Sequence, residues 1–272
     1  MAQLAARSPA ATAAPTFRLS GAAISVVSFA LFLIVWQLVA QFVVRATFKL
    51  PAPLEIVTGM WPLARSGELE IDFLTSAEHY LSGMFLALVI GVPLGALTGW
   101  FRVLDRALTP IIELFRPIPP IAWIPFAIVW LHLTDAAAAA IIFAGAVFPI
   151  MVNTYTGFRS VSKTLVEAAR LLGCRSQSQL LLKVAIPAAM PYIASGVRIG
   201  MAVGWVSLVA AEMFGVSTTG LGFKIWNYYN VHAMELVLGY MLLLGMISLS
   251  LDTAFRTIVD RRLLRWRVGL LN

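Results

Sequence analysis

Charged side chains disappear for long intervals along this chain. None occurs between Arg18 and Arg45, between Glu78 and Arg102, or between Asp135 and Arg159. Each interval is at least as long as the roughly 20 apolar residues a helix needs to cross a hydrocarbon layer, so each predicts a transmembrane helix. Three further blocks are less regular. Arg116 to Asp135 is shorter and holds Pro117, Pro119, Pro120 and Pro125, so its first half should depart from regular helix. Val184 to Met213 is long enough to span but carries Arg198, and the block from Leu236 to about Phe255 carries Asp252 near its end. The pattern predicts an all-α integral membrane protein with six transmembrane helices.

Between the blocks the chain changes character. Residues 1–18 are rich in Ala, Ser, Thr and Pro and read as a disordered tail, which leaves residues 19–268 as one six-span domain. "LPAPLEIV" predicts extended chain at Pro51 and Pro53 followed by a short surface helix. "GVSTTGLGFKIWNYYN", after the fifth block, has glycines for turns and aromatics that could form an interfacial belt. The only long polar insertion between spans is 159–187. There Thr164 and Glu167 fit a capping box, Gly173 suits the left-handed residue that ends a helix, and Leu165, Ala169 and Leu172 share a face. Ser176 and Gln179 repeat the capping pattern and start a second helix that runs to Pro187. No internal repeat is visible, and the halves show no matching broken helices of the kind secondary transporters carry.

Composition agrees. Of 272 residues, 60% are hydrophobic and 12% charged, against about 25% charged in soluble domains. The net charge of +7 reads as topology rather than as a nucleic-acid patch. With a cytoplasmic N-terminus, inside segments collect Arg7, Arg18, Arg102, Arg106, Arg116, Arg159, Lys163, Arg170, Arg175, Lys183, Arg256, Arg261, Arg262, Arg265 and Arg267, while outside segments hold Arg45, Lys49, Arg65 and Lys224. That asymmetry places both termini in the cytoplasm. The single cysteine, Cys174, excludes an intramolecular disulfide.

The polar insertion also resembles a family signature. Glu167-Ala168-Ala169, Gly173 and Val184-Ala185-Ile186-Pro187 are similar to the E-A-A loop of binding-protein-dependent ABC importer permeases, with ten rather than nine residues between Gly173 and Val184. "LPAP" before a Gly-Glu-Leu segment, "FRPIPPIAWIPFAIVW" at 115–130 and "GVRIGMAVGWVSLVAAEMF" at 196–214 resemble the nitrate/sulfonate/taurine branch, and the likeness runs from about 48 to 268. His79 departs from it where the branch often has Arg, and His132 where it usually has Gly. Isolated histidines near span ends read as interfacial.

The resemblance implies a type I ABC importer fold. The E-A-A loop would be a cytoplasmic coupling helix between spans four and five, inserted into an ATPase through Glu167, Ala168, Ala169, Arg170, Leu172 and Gly173. It further implies a prokaryotic cytoplasmic (inner) membrane, two ABC ATPase subunits that use ATP and Mg, a second permease copy (a homodimer or a pair with a related chain) and an external substrate-binding protein. Besides these, only membrane lipid is expected as a partner. The implied cargo is a small anionic solute such as a sulfonate, taurine or nitrate.

No P-loop, metal-ligand spacing or nucleophile elbow occurs, so the chain reads as a non-catalytic subunit with no cofactor or metal of its own. A permease for another solute, or an ATPase-independent secondary transporter, remains the alternative. Charges within spans are costly and therefore informative. Arg198 and Glu212 both lie on span five, about 21 Å apart along a helix, so they cannot pair within it. Arg198 either snorkels toward head groups or serves an interhelical or pathway role; Glu212, near the outer end, either caps an outer loop or gates. With Trp205 and Ser207 they form the candidate substrate pathway.

Overall fold

The computed structural model describes residues 21–46 and 48–259. The 1–18 tail and the basic residues Arg261 to Arg267 lie outside the described residues. Among the described residues eleven α-helices follow one another: α1 Gly21–Leu38, α2 Pro53–Ser66, α3 Glu68–Trp100, α4 Arg102–Phe115, α5 Ile124–Leu131, α6 Asp135–Arg159, α7 Lys163–Leu171, α8 Gln177–Leu180, α9 Ile186–Met213, α10 Leu221–Asn230 and α11 Met234–Ile258. No strand occurs among the described residues.

The core is α6 held between α3 and α9, and glycine explains why these three come so close. On α3, Gly83, Gly91, Gly95 and Gly99 face α6; on α9, Gly196, Gly200 and Gly204 face its other side. A Cβ at Gly95 would lie 2.4 Å from the carbonyl oxygen of Met151. Lipid-embedded helices gain little from hydrophobic exclusion and associate through such close backbone packing. Around this slab Tyr80, Met84, Ile142, Ile150, Trp205, Leu208 and Tyr240 form the main cluster, with Tyr80 and Trp205 edge to face at 5.1 Å. α1 stands at the periphery, its apolar side chains largely exposed. It is tied in by Trp36, which donates to the Pro51 carbonyl, and by Gln37, which accepts from the Leu54 N–H.

These contacts also fix direction. Along α3, positions 83, 91, 95 and 99 meet α6 at Ala139 and Ile142, then Val147 and Ile150, then Met151 and Thr154, then Tyr155 and Phe158. Both helices therefore run the same way, and the chain between them must return across the full thickness. That return is α4 and α5, joined through Phe115 to Pro120 and a 3₁₀ turn at Pro120–Trp123, and bent by 86°. The proline block thus yields a broken span. With it, the five long apolar helices become six crossings. α9 runs antiparallel to α6, since Gly157 meets Ala189 while Gly145 meets Ser207.

Candidate functional site

Three polar constructions stand out from the apolar body. The first is α7. Ser162, not Thr164, is its N-cap, and the Ser162 hydroxyl accepts from the Leu165 N–H. Thr164 and Glu167 lie inside the helix, so the expected capping box is misplaced by two residues. At the other end Cys174 N–H donates to the Ala169 carbonyl and Gly173 N–H to that of Arg170, with Gly173 at φ 96°. This is the paired closure that a left-handed glycine permits. Glu167, Ala168, Arg170 and Leu172 are exposed and Ala169 half-buried. Leu171 and Leu172 are 90% and 88% exposed at the tip. The Ser176–Gln179 capping box forms as read. The second helix does not end at Pro187, however. It passes through a π turn, Leu181–Ala185, straight into α9, and Pro187 sits where that π turn gives way to α9. A π turn is what one inserted residue makes of an α-helix, so the tenth residue between Gly173 and Val184 has a physical location.

The second is a furrow along α9. A cavity of about 640 Å³ is lined by Tyr80, Ser195, Arg198, Trp205, Ser248 and Asp252 among others. A neighbour of about 380 Å³ is lined by Arg116, the Pro117–Pro120 break, Gly145, Asn153 and others. Ile199 and Val203 border both. Arg198 does not snorkel. Its Nε donates to Asp252 Oδ1 at 2.6 Å and its Nη2 to Oδ2 at 3.1 Å, across from α9 to α11. Arg256 Nη2 reaches the same carboxylate at 3.0 Å.

The third lies at the opposite end of α9. Glu212 is fully buried. It accepts from Ser76 at 2.8 Å and from the Gly222 N–H at 2.8 Å, and meets His79 Nδ1 at 3.0 Å. His79 Nε2 meets Asp135 Oδ1 at 2.9 Å, and Ser76 accepts from the Leu221 N–H. Asp72 accepts from the Gly220 N–H and from Tyr240. The orphan N–H groups at the start of α10 are therefore capped by side chains of α3 and α9. Gly220, at φ 120°, leaves no room for a Cβ, which would sit 2.6 Å from Glu212 Oε1. Outside the spans, Lys224 pairs with Glu68. Its burial opposes the charge, but Glu68, Asp72 and Tyr228 outweigh that and raise its pKa.

The four pathway candidates are thus divided. Arg198 and Trp205 share the furrow; Ser207 does not, since its hydroxyl bonds the Val203 carbonyl and packs on Gly145. Glu212 belongs to the α10 cap. His79 is buried, not interfacial. His132 is exposed, but at φ 59°, which is the reason glycine suits that position. The expected aromatic belt is split: Trp226 and Tyr229 stack outward at 5.7 Å, while Phe223 and Tyr228 are half-buried. Sequence reasoning missed Asp72, Ser76, Asp135, Tyr240 and the pairing role of Asp252. The spacing 72, 76, 79 places three of the cluster's residues on one helix face, a signal hidden by the apolar residues around them.

Comparison with known proteins agrees with this geometry. The family described as binding-protein-dependent transport system inner membrane component matches residues 91–265. An ABC transporter permease protein of Methanocaldococcus jannaschii is 36% identical over 88% of this chain and 90% of its own. A nitrate import permease protein of Synechocystis is 33% identical, covering 83% of this chain and 84% of its own. A bicarbonate transport system permease protein of Synechococcus elongatus is 33% identical, covering 81% and 82%. Among solved structures, an inward-facing MetNI methionine ABC transporter chain shares the fold, with a TM-score of 0.60 at 24% identity over 77% of this chain and 97% of that one.

Proposed function

Since this chain belongs to the binding-protein-dependent transport system inner membrane components, as an ABC importer permease subunit of the nitrate and bicarbonate type, we propose that it forms the pathway for a small anionic solute and couples to a separate ATPase through α7. The observation that carries the coupling half is the pair Leu171 and Leu172, almost wholly bare at the tip of a helix outside the apolar spans. Two adjacent exposed leucines on a helix too short to stand alone in water need a partner surface. Glu167, Ala168, Ala169, Arg170 and Gly173 surround them, and the small residues let a second backbone approach.

On this reading the chain is non-catalytic and holds no cofactor; ATP and Mg belong to two partner ATPases. A second copy of the permease completes the pathway, and an external binding protein delivers the solute. The α7 side of the molecule is then the cytoplasmic side of a prokaryotic inner membrane, with both termini on it. The cargo class, nitrate-, bicarbonate- or sulfonate-like, follows the relatives and the cationic furrow.

The test is reconstitution of permease, ATPase and binding protein in proteoliposomes. Glu167→Lys and Leu171→Asp are expected to leave the permease inserted while removing at least about 90% of substrate-stimulated ATP hydrolysis, in line with the loss of a buried interface anchor. Wild-type stimulation in both variants would refute the coupling role. Uptake of labelled nitrate, bicarbonate, taurine and an alkanesulfonate identifies the cargo; transport of none beside robust uptake of a cationic or neutral compound overturns the anion assignment.

A further inference from the structure

We propose that the outward stripe of α2, Leu54, Val57, Trp61 and Arg65, is a binding surface for one phospholipid of the leaflet opposite α7, with an acyl chain along Leu54 and Val57 and an anionic headgroup at Arg65. The helix has two apolar faces, and only one of them is used within the chain. Inward, Ile56 is buried, Gly59 meets Glu235 and Leu236, Met60 meets Gly239, and Leu63 packs on the main cluster. Outward, Leu54, Val57 and Trp61 are 63%, 63% and 57% exposed. Positions 54, 57, 61 and 65 recur at the spacing that keeps side chains on one face of a helix.

Depth decides what covers that face. α1 and the π turn after it form an apolar span from Ala23 to Val44, closed by Arg45. The Gln37 side chain accepts from the Leu54 N–H, and Trp36 Nε1 donates to the Pro51 carbonyl. Gln37 lies about two turns, roughly 10 Å, below Val44. The chain therefore turns back from the tip of α1 and begins α2 at hydrocarbon depth, beside a helix whose own apolar side chains face lipid. α2 then climbs to the surface, where Glu68 and Glu70 open α3. Along the climb the stripe changes from aliphatic to aromatic to cationic, the order in which a monolayer presents acyl chain, interface and phosphate. The Thr58 hydroxyl, exposed beside the stripe, bonds back to the Leu54 and Glu55 carbonyls, so it needs no water. The Arg65 guanidinium stands 5.0 Å over the Trp61 ring and enters no ion pair among the described residues. Its charge is open to a phosphate while its stem stays on apolar surface. A water-borne partner cannot reach the submerged Leu54 end; a lipid can.

The test uses the full-length permease in liposomes, in a Cys174→Ser background with a bimane fluorophore on a cysteine replacing Val57. Phosphatidylcholine with brominated acyl chains should quench the fluorophore, and aqueous iodide should not. Brominated phosphatidylglycerol should reach half-maximal quenching at about three- to fivefold lower mole fraction, the advantage expected of one cation at a headgroup. Arg65→Gln should remove that advantage and Arg65→Lys keep most of it. Soluble glycerol phosphate should not compete, which separates a lipid from its free headgroup. If Val57→Cys fails to insert, Leu54→Cys, also an exposed position, gives the same reading. Quenching by iodide instead of bromolipid overturns the proposal, as does a phosphatidylglycerol advantage that is absent in wild type or survives Arg65→Gln. Insensitivity to both quenchers means that a second copy covers the face. Bromolipid quenching lost on adding the external binding protein means that the binding protein does. Either result also overturns it.

Discussion

His79 shows how one side chain can organise the end of a bundle. Carboxylates face both of its ring nitrogens, Glu212 at 3.0 Å and Asp135 at 2.9 Å, so one side chain of α3 ties α9 to the start of α6. The residue that the family resemblance often places there is Arg, whose fork can reach both carboxylates. His79→Arg is therefore expected to insert and melt within a few degrees of wild type. His79→Leu leaves buried Glu212 without one of its hydrogen-bond partners and should cost roughly 1–3 kcal/mol, read as a lower melting temperature in detergent. Equal stability of the Leu variant would show that Ser76 and the Gly222 N–H suffice for Glu212. Nothing in the sequence near His79 announces this role. Its partners lie 56 and 133 residues away, and isolated spacing cannot display a contact made across three helices. Arg198 and Glu212 were visible as costly intramembrane charges, whereas their partners became visible only with the fold.

Helices repeat the lesson at a larger scale. Hydrophobic length identified α3, α6, α9 and α11, because period and length are local properties. What packs them is the glycine rows, which carry no hydrophobic signal at all. Gly95→Ala should drive a methyl group into the Met151 carbonyl and destabilise by about 1–3 kcal/mol. Gly245→Ala on α11, with nothing within 4 Å of its added Cβ, should be neutral or stabilise by about 0.5–1 kcal/mol. Similar melting temperatures for the two variants would refute the close-approach account. The loop between α6 and α9 was legible in its motif but not in its boundaries. A cap shifted from Thr164 to Ser162 and a helix continued past Pro187 both follow from hydrogen bonds that compete within a few residues. The π turn at Leu181–Ala185 makes its own prediction. Deleting Leu182 should convert the bulge to plain α-helix and leave ATPase stimulation within about threefold of wild type; complete uncoupling would mean that the bulge is not an absorbed insertion.

For the whole molecule, the parallel run of α3 and α6 is the decisive topological fact, since it makes the 86° break a crossing and not a re-entrant loop. Both ends of the described chain then lie on the α7 side. A cysteine placed at Ser66, in a Cys174→Ser background, should react with an impermeant reagent in intact cells, whereas native Cys174 should react only after permeabilisation. The reverse pattern would invert the molecule. Arginine asymmetry assigns the α7 side to the cytoplasm because the rule reads only which loops are basic, and the labelling experiment tests that assignment. The asymmetry could not show the shape of the third span, where proline removes the regularity that pattern reading depends on.

The central place of α6 has a consequence for how the protein is made. α6 touches α3, already synthesised, and α9, still to come. Until the Gly196–Gly204 row has emerged, one flank of α6 has only lipid to rest against. Synthesis at about 5–20 residues per second sets that delay, over the roughly 45 residues from Arg159 to Gly204, at roughly 2–9 seconds. A nascent chain stalled between Arg159 and Gly196 is thus caught with its innermost helix half covered, and quality control in the membrane has a well-defined intermediate to recognise.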